Sequence, residues 1–413
     1  MTSSTRHLSR PTEVVSRGDA SGEDEAARNE KVIHRAGHAG IHVAVVSPAS
    51  PPFTGISEYG ASLAYSLQET EEVRAVTTVD GWSLASFDTF EVLRSIRRIK
   101  PDVVWFNLSF GSFGTARRRI LFGYALPTVF RCLGVPTVVT MHEVFDDVAL
   151  AAVGAGDGWI ARAGGRIATR LALTADVTCV TLGRHAGRLR HQYGATRVRH
   201  IPHGSPVEPQ LLAHSAPKAE PELLLFGCLS PHKGLPVLLK AFQEVRRRHG
   251  GARLLIVGDD HPRFTAYCRE VRAQVGDLHG IECLGPQPES RLRELFARSS
   301  AVILPYLAST GASSVLYRAA AYGRPIVMSD LPELRASTEE LGLRVEYVPP
   351  NQPQALAHGI RGLLADEVRM TALATHNLEV MRKYTPMAIR DLYLAVFRSA
   401  MTLHRRQRIT CQS

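Results

Sequence analysis

An alternation constrains this fold more than any other feature of the chain. Short β-branched apolar runs are followed by loops rich in Gly or Pro, then by apolar residues at helical spacing. Ile41-His42-Val43-Ala44-Val45-Val46 is the first such run and reads as a buried strand. Turn formers occupy 47–55, and Ile56, Tyr59, Leu63 and Leu67 then recur at helical spacing. The pattern returns at 103–106, at 137–141 and at 177–181, the last leading into a basic helix and then His200-Ile201-Pro202. Strands that alternate with helices predict a mostly parallel sheet covered on both faces.

Between Ser205 and Pro221 the pattern gives way to Pro, Ala, Ser and charge, which predicts an interdomain linker over 206–221. A second series follows. Its strands are expected at 223–226, 254–257, 281–284, 301–304, 325–328 and 343–347. Its helices are expected near 235–249, 262–275, 288–298, 312–322 and 353–365. A helical tail covers about 370–406 and breaks at Thr385-Pro386, because proline disfavours helix at the residue before it. Residues 1–38 hold few large apolar side chains and are expected to be disordered. The division is therefore a lead over 1–38, a Rossmann-like domain over 39–205 and a second over 222–385. Ligands of such sheets sit outside the carboxyl ends of the strands.

Composition excludes several classes. No apolar run reaches the roughly 18 residues of a membrane-spanning helix, and the N-terminus has no apolar signal stretch. The six cysteines are scattered without a C-x-x-C pair, so neither a disulfide framework nor a zinc site is expected, and a cytoplasmic setting is the default. The net charge of +10 fits nucleic acid, an anionic membrane surface or a phosphate-bearing ligand. No interleaved aromatic and basic pattern supports nucleic acid. Two basic clusters, Arg117-Arg118-Arg119 and Arg184-His185-Arg188-Arg190-His191, read either as solvated faces or as contacts for anionic lipid or an acidic acceptor.

Four segments carry candidate chemistry. Gly55 stands where strand turns into helix, and a helix N-terminus presents free N–H groups to a phosphate. His142, in Thr140-Met141-His142-Glu143, follows a strand's carboxyl end. Lys233 precedes Gly234 in Gly227-Cys228-Leu229-Ser230-Pro231-His232-Lys233-Gly234 and can neutralise phosphate. Thr310-Gly311-Ala312-Ser313-Ser314 opens a helix with small side chains and two hydroxyls, and runs on through Arg318 to Ala321-Tyr322-Gly323-Arg324-Pro325-Ile326-Val327.

In this order and spacing the segments resemble the GT-B glycosyltransferases, specifically the retaining family 4, from about residue 41 to 397. The resemblance implies an α/β GT-B fold, two Rossmann-like domains facing a cleft. It also implies that the last helix, 386–406, returns to the first domain. The activity implied is transfer of a sugar from a nucleotide-diphosphate donor to a small-molecule, lipid or saccharide acceptor, with retention and without a metal or other cofactor. Gly55 matches the second of two family glycines near the donor diphosphate, Thr54 standing at the first. His142 matches the histidine near the transferred sugar. Lys233 matches the cation on the diphosphate, while Cys228 replaces the family's arginine. The family also carries two glutamates eight residues apart, one holding the sugar and one the ribose. Those positions are Thr310 and Arg318 here. Thr310 can still bond a sugar hydroxyl, whereas a guanidinium accepts nothing. Gly311, Ser313 and Ser314 are expected to meet the diphosphate, with Arg318 adding charge. Two alternatives stand beside this reading: a GDP- or dTDP-activated unusual sugar, or a catalytically silent subunit that partners another enzyme.

Overall fold

A computed structural model describes residues 30–34, 40–48, 55–79, 89–109, 112–113, 117–145, 158–212, 220–261, 263–276 and 278–412. Of the disorder expected over 1–38, residues 1–29 and 35–38 lie outside them.

The first domain runs β1 (Glu30–His34), β2 (Ile41–Val46), α1 (Gly55–Gln68), β3 (Val73–Val79), α2 (Thr89–Ile99), β4 (Val103–Leu108), α3 (Arg117–Cys132), β5 (Thr137–Met141), α4 (Trp159–Ala172), β6 (Val177–Val180), α5 (Gly183–Tyr193) and β7 (Val198–His200). Its sheet order is β1-β3-β2-β4-β5-β6-β7, parallel throughout except for β1, which lies antiparallel on the β3 edge. Residues 30–34 thus correct the disordered lead: they form a strand paired with β3. The sequence pattern also passes over β3, whose Arg74 and paired threonines interrupt its apolar run.

The two-residue period decides what each face covers. Along β4, Val104, Phe106 and Leu108 pack with Phe130 and Ala168 of one helical layer and with Phe113 from the turn before α3. Val103 and Trp105 point the other way, into Tyr59, Leu63, Tyr393 and Phe397. Burial on both faces is why the parallel strands read as continuous apolar runs.

The second domain runs β8 (Glu222–Phe226), α6 (Leu235–Arg248), β9 (Arg253–Val257), α7 (Thr265–Gly276), β10 (Ile281–Leu284), α8 (Glu289–Arg298), β11 (Ala301–Leu304), α9 (Ser314–Ala321), β12 (Ile326–Ser329), α10 (Pro332–Leu341), β13 (Glu346–Val348), α11 (Pro353–Leu364), α12 (Glu367–Met381) and α13 (Pro386–Gln412). Its six strands are all parallel in the order β10-β9-β8-β11-β12-β13. The strand expected at 343–347 begins only at Glu346.

Two segments tie the domains together. Residues 205–212, expected within a linker, are fastened to the second domain and the tail. Ser205 N–H donates to the Tyr384 carbonyl at 2.8 Å and Gln210 N–H to the Ala321 carbonyl at 2.9 Å. α13 crosses back onto the first sheet. Thr385 caps it, its hydroxyl accepting from the Ala388 N–H at 3.1 Å. Tyr393 then bonds Thr140 and Tyr59 at 2.7 and 2.9 Å. Further along, His404 meets Asp176, which also pairs with Arg131.

Candidate active site

The carboxyl ends of the two sheets face each other, and the loops that leave them form the site. α1 follows β2, and α9 follows β11 after the loop 305–313. Their N-termini meet: a Cβ placed on Gly55 would lie 2.7 Å from Ser314 Oγ. Each end exposes backbone N–H groups and the positive pole of its helix. Ser313 is the extended N-cap residue of α9, and its buried hydroxyl has no partner. A polar atom buried that way costs about 1–3 kcal/mol unless something bonds to it. Gly55, Ser313 and Ser314 therefore stand together where the two helix N-termini meet.

Lys233 ends a single 3-10 turn, Pro231–Lys233, which closes on Gly234 at φ 69°. Only glycine fits there, since a Cβ would sit 1.8 Å from the Pro305 carbonyl oxygen. Leu307 N–H donates to the His232 carbonyl at 2.8 Å, locking this turn to the loop before α9. Lys233 Nζ lies 3.8 Å from the Tyr306 ring centroid. Burial pushes the Cys228 thiol up to about 12, so the side chain in place of the family arginine is a neutral thiol. Burial also holds His232 down to about 3 and His261 down to about 4. Asp260, in the loop after β9, is paired with Arg272 at 2.7 Å.

His142 forms the opposite wall. Its Nε2 lies 2.6 Å from Asn107 Oδ1. Asn107 uses its Nδ2 on Ser47 Oγ and the Ile56 carbonyl at 3.0 and 2.8 Å. That assignment leaves Oδ1 as acceptor and makes His142 Nε2 the donor. Burial, with His203 and His185 nearby, holds the imidazole down to about 3. His142 is therefore neutral across the physiological range. Tyr59 packs edge-on against it at 4.9 Å and also contacts His203, which stacks on Tyr317 of the second domain.

The walls touch at Gly311, where a Cβ would lie 2.3 Å from the His142 carbonyl oxygen. Beside it, Thr310 Oγ1 donates to Glu143 Oε1 at 2.5 Å across the cleft. Arg318 departs from its expected role. It is 1 % exposed and pairs with Glu289 at 2.5 Å and with Glu58 of α1. Burial works against its charge, and Glu58 and Glu289 more than restore it. Two carboxylates thus pair with the guanidinium expected at the diphosphate, while its buried Nε has no partner. Nothing local in sequence marks Glu58, Glu289 or Glu143 as its substitute partners and those of Thr310, because each comes from a distant element.

Among the described residues, no group of three or more His, Cys, Asp or Glu is arranged to hold a metal ion, and no helix is long and apolar enough to cross a membrane. α3 and α4 pack side by side and leave Phe122, Trp159, Ile160 and Ile167 exposed. Arg118, Arg162, Arg166 and Arg170 lie on the same pair of helices.

Comparison with known proteins agrees with this geometry. The family described as Glycosyltransferase Family 4 matches residues 31–208, and Glycosyl transferases group 1 matches 220–366. A phosphatidyl-myo-inositol mannosyltransferase of Mycobacterium leprae is 27% identical over 209 residues, 49% of this chain and 54% of that protein. The chain thus spans about half that relative's length. Among solved structures, sucrose-phosphate synthase of Thermosynechococcus elongatus superposes with a TM-score of 0.69 at 16% identity, covering 88% of this chain and 99% of that one. Anabaena HepE, crystallised with UDP and glucose, gives 0.63 at 16%, covering 87% and 100%. The two parallel sheets, their facing carboxyl ends and the two family matches together show that this chain belongs to the GT-B, family 4-like glycosyltransferases.

Proposed function

We propose that the chain transfers a sugar from a nucleotide-diphosphate donor to an acceptor hydroxyl, with retention of configuration. The observation that carries this reading is the meeting of the α1 and α9 N-termini around the unpartnered, buried Ser313 hydroxyl. The diphosphate sits there, bonded by Ser313, Ser314 and the N–H groups beside Gly55 and Gly311, with Lys233 as its cation. As the bond from the anomeric carbon to the phosphate oxygen breaks, negative charge grows on that oxygen, and these fixed donors stabilise it. The departing phosphate takes the acceptor's hydroxyl proton while the acceptor oxygen bonds the same face of the sugar. His142 is held neutral with Nε2–H committed to Asn107, so its role is to line the sugar pocket. Protein groups meet the donor's charge, and the scheme uses no metal ion or organic cofactor.

A lipid acceptor fits best. The mannosyltransferase relative is named for a phosphatidylinositol substrate. Here the exposed Trp159, Ile160, Ile167 and Phe122, set among arginines, suit the interface of an anionic membrane. The chain would then work at the cytoplasmic face. Sedimentation with vesicles tests this: binding to phosphatidylglycerol-containing vesicles, weakened in Trp159→Ala with Ile160→Ala, is expected, and equal indifference to anionic and neutral vesicles would remove the membrane partner. A thermal-shift panel of UDP, GDP, dTDP and their sugars tests the transferase. Stabilisation by one nucleotide series is expected. No shift with any of them, and no donor hydrolysis, would favour a catalytically silent subunit.

A further inference from the structure

The α9 segment lacks a carboxylate at position 310 and position 318, yet each of those side chains is bonded to a carboxylate from elsewhere. Arg318 has Glu58 and Glu289. Thr310 has Glu143, contributed by the opposite domain at 2.5 Å. Glu143 directly follows His142 at the carboxyl end of β5, where ligands of parallel sheets bind. Its Cγ is 3.7 Å from the Cβ position of Gly311, so it stands beside the loop that leads into the α9 N-terminus. It is half-buried, and Thr310 fixes one of its oxygens. Sugar hydroxyls are donors, and an ionised carboxylate is the strongest acceptor a side chain offers them.

Resting on the transfer reading above, we propose that Glu143 is the sugar-binding carboxylate of this site. It is delivered from the first domain, and Thr310 orients it. The sugar hydroxyls would donate to Glu143 only when both domains line the cleft, so the donor's sugar half is read across the domain boundary. Glu143 would then act on the sugar and leave the nucleotide half untouched.

The test uses the full chain with UDP, UDP-glucose, GDP and GDP-mannose as probes, together with donor turnover. In Glu143→Gln, affinity for the free diphosphate stays within about threefold, while turnover falls by about 30-fold or more through loss of a charge-assisted bond to the reacting sugar. Thr310→Glu alone crowds two carboxylates and loses turnover similarly. Combining Thr310→Glu with Glu143→Thr exchanges the groups and recovers most of it. A purely structural role would lower the melting temperature and diphosphate affinity together, without recovery on exchange. Wild-type turnover in Glu143→Gln overturns the assignment alone. A wild-type chain that binds none of these four probes, nor dTDP or a dTDP-sugar, overturns the transfer reading, and this assignment with it.

Discussion

Replacing Arg318 by Met separates two roles for that side chain. The guanidinium is 1 % exposed and bridges Glu58 of α1 to Glu289 of α8, so it joins the domains as well as filling space beneath α9. Met keeps most of the volume and removes the charge and the donors. Breaking a buried ion pair by deleting one partner costs about 3–5 kcal/mol. Here Glu58 and Glu289 are 26% and 55% exposed and can rehydrate, which lowers the cost. The expected loss is about 2–3 kcal/mol, or roughly 5–10 °C in melting temperature for a domain of this size. Differential scanning calorimetry reads the loss, and isothermal titration with the nucleoside diphosphate reads the site. Affinity is expected to change by no more than about threefold, because Arg318 is neutralised by carboxylates. A variant that melts like wild type but binds diphosphate ten times more weakly would refute this reasoning and return Arg318 to the phosphate.

Gly234→Ala places a methyl group 1.8 Å from the Pro305 carbonyl in a left-handed turn, so a loss of at least about 3 kcal/mol is expected by urea denaturation. Stability near wild type would show that the turn can reopen without cost. Acid should destabilise the fold before its carboxylates titrate. Burial holds His142 and His203 down to about 3 and about 4, below the ordinary 6.5, so unfolding takes up protons between those limits. Stability is therefore full above about pH 6.5 and declines toward pH 3–4. At pH 5 the loss approaches about 2 kcal/mol for each fully buried imidazole. Equal stability in denaturant at pH 7.5 and pH 5 would contradict their burial as neutral rings.

The architecture was legible because each buried strand is a short β-branched run between turn formers, as at 41–46 and 301–304. β3 escaped because Arg74 and its threonines break the run, and β1 because it is an edge strand in a polar lead. The placement of the candidate segments was equally legible: Gly55, His142, Lys233 and the start of α9 all follow strands at one end of their sheets. Partnerships were not. Thr310 with Glu143 spans 167 residues and Arg318 with Glu58 spans 260, and no periodicity records which loops meet across a cleft. The Arg318 charge shows the same limit: its sign was visible in the sequence, but the carboxylates that pair with it were not.

Calorimetric titration of the stabilising nucleoside diphosphate into wild type and Lys233→Ala tests the central claim most directly. Lys233 is half-buried in a single turn, its Nζ against the Tyr306 ring and outside the hydrophobic core, so its removal should leave the fold intact. Wild type is predicted to bind with one site per chain, and Lys233→Ala at least about tenfold more weakly, the worth of one charge-assisted phosphate contact. Equal affinity in the two proteins would contradict a diphosphate seated between the helix N-termini and this lysine.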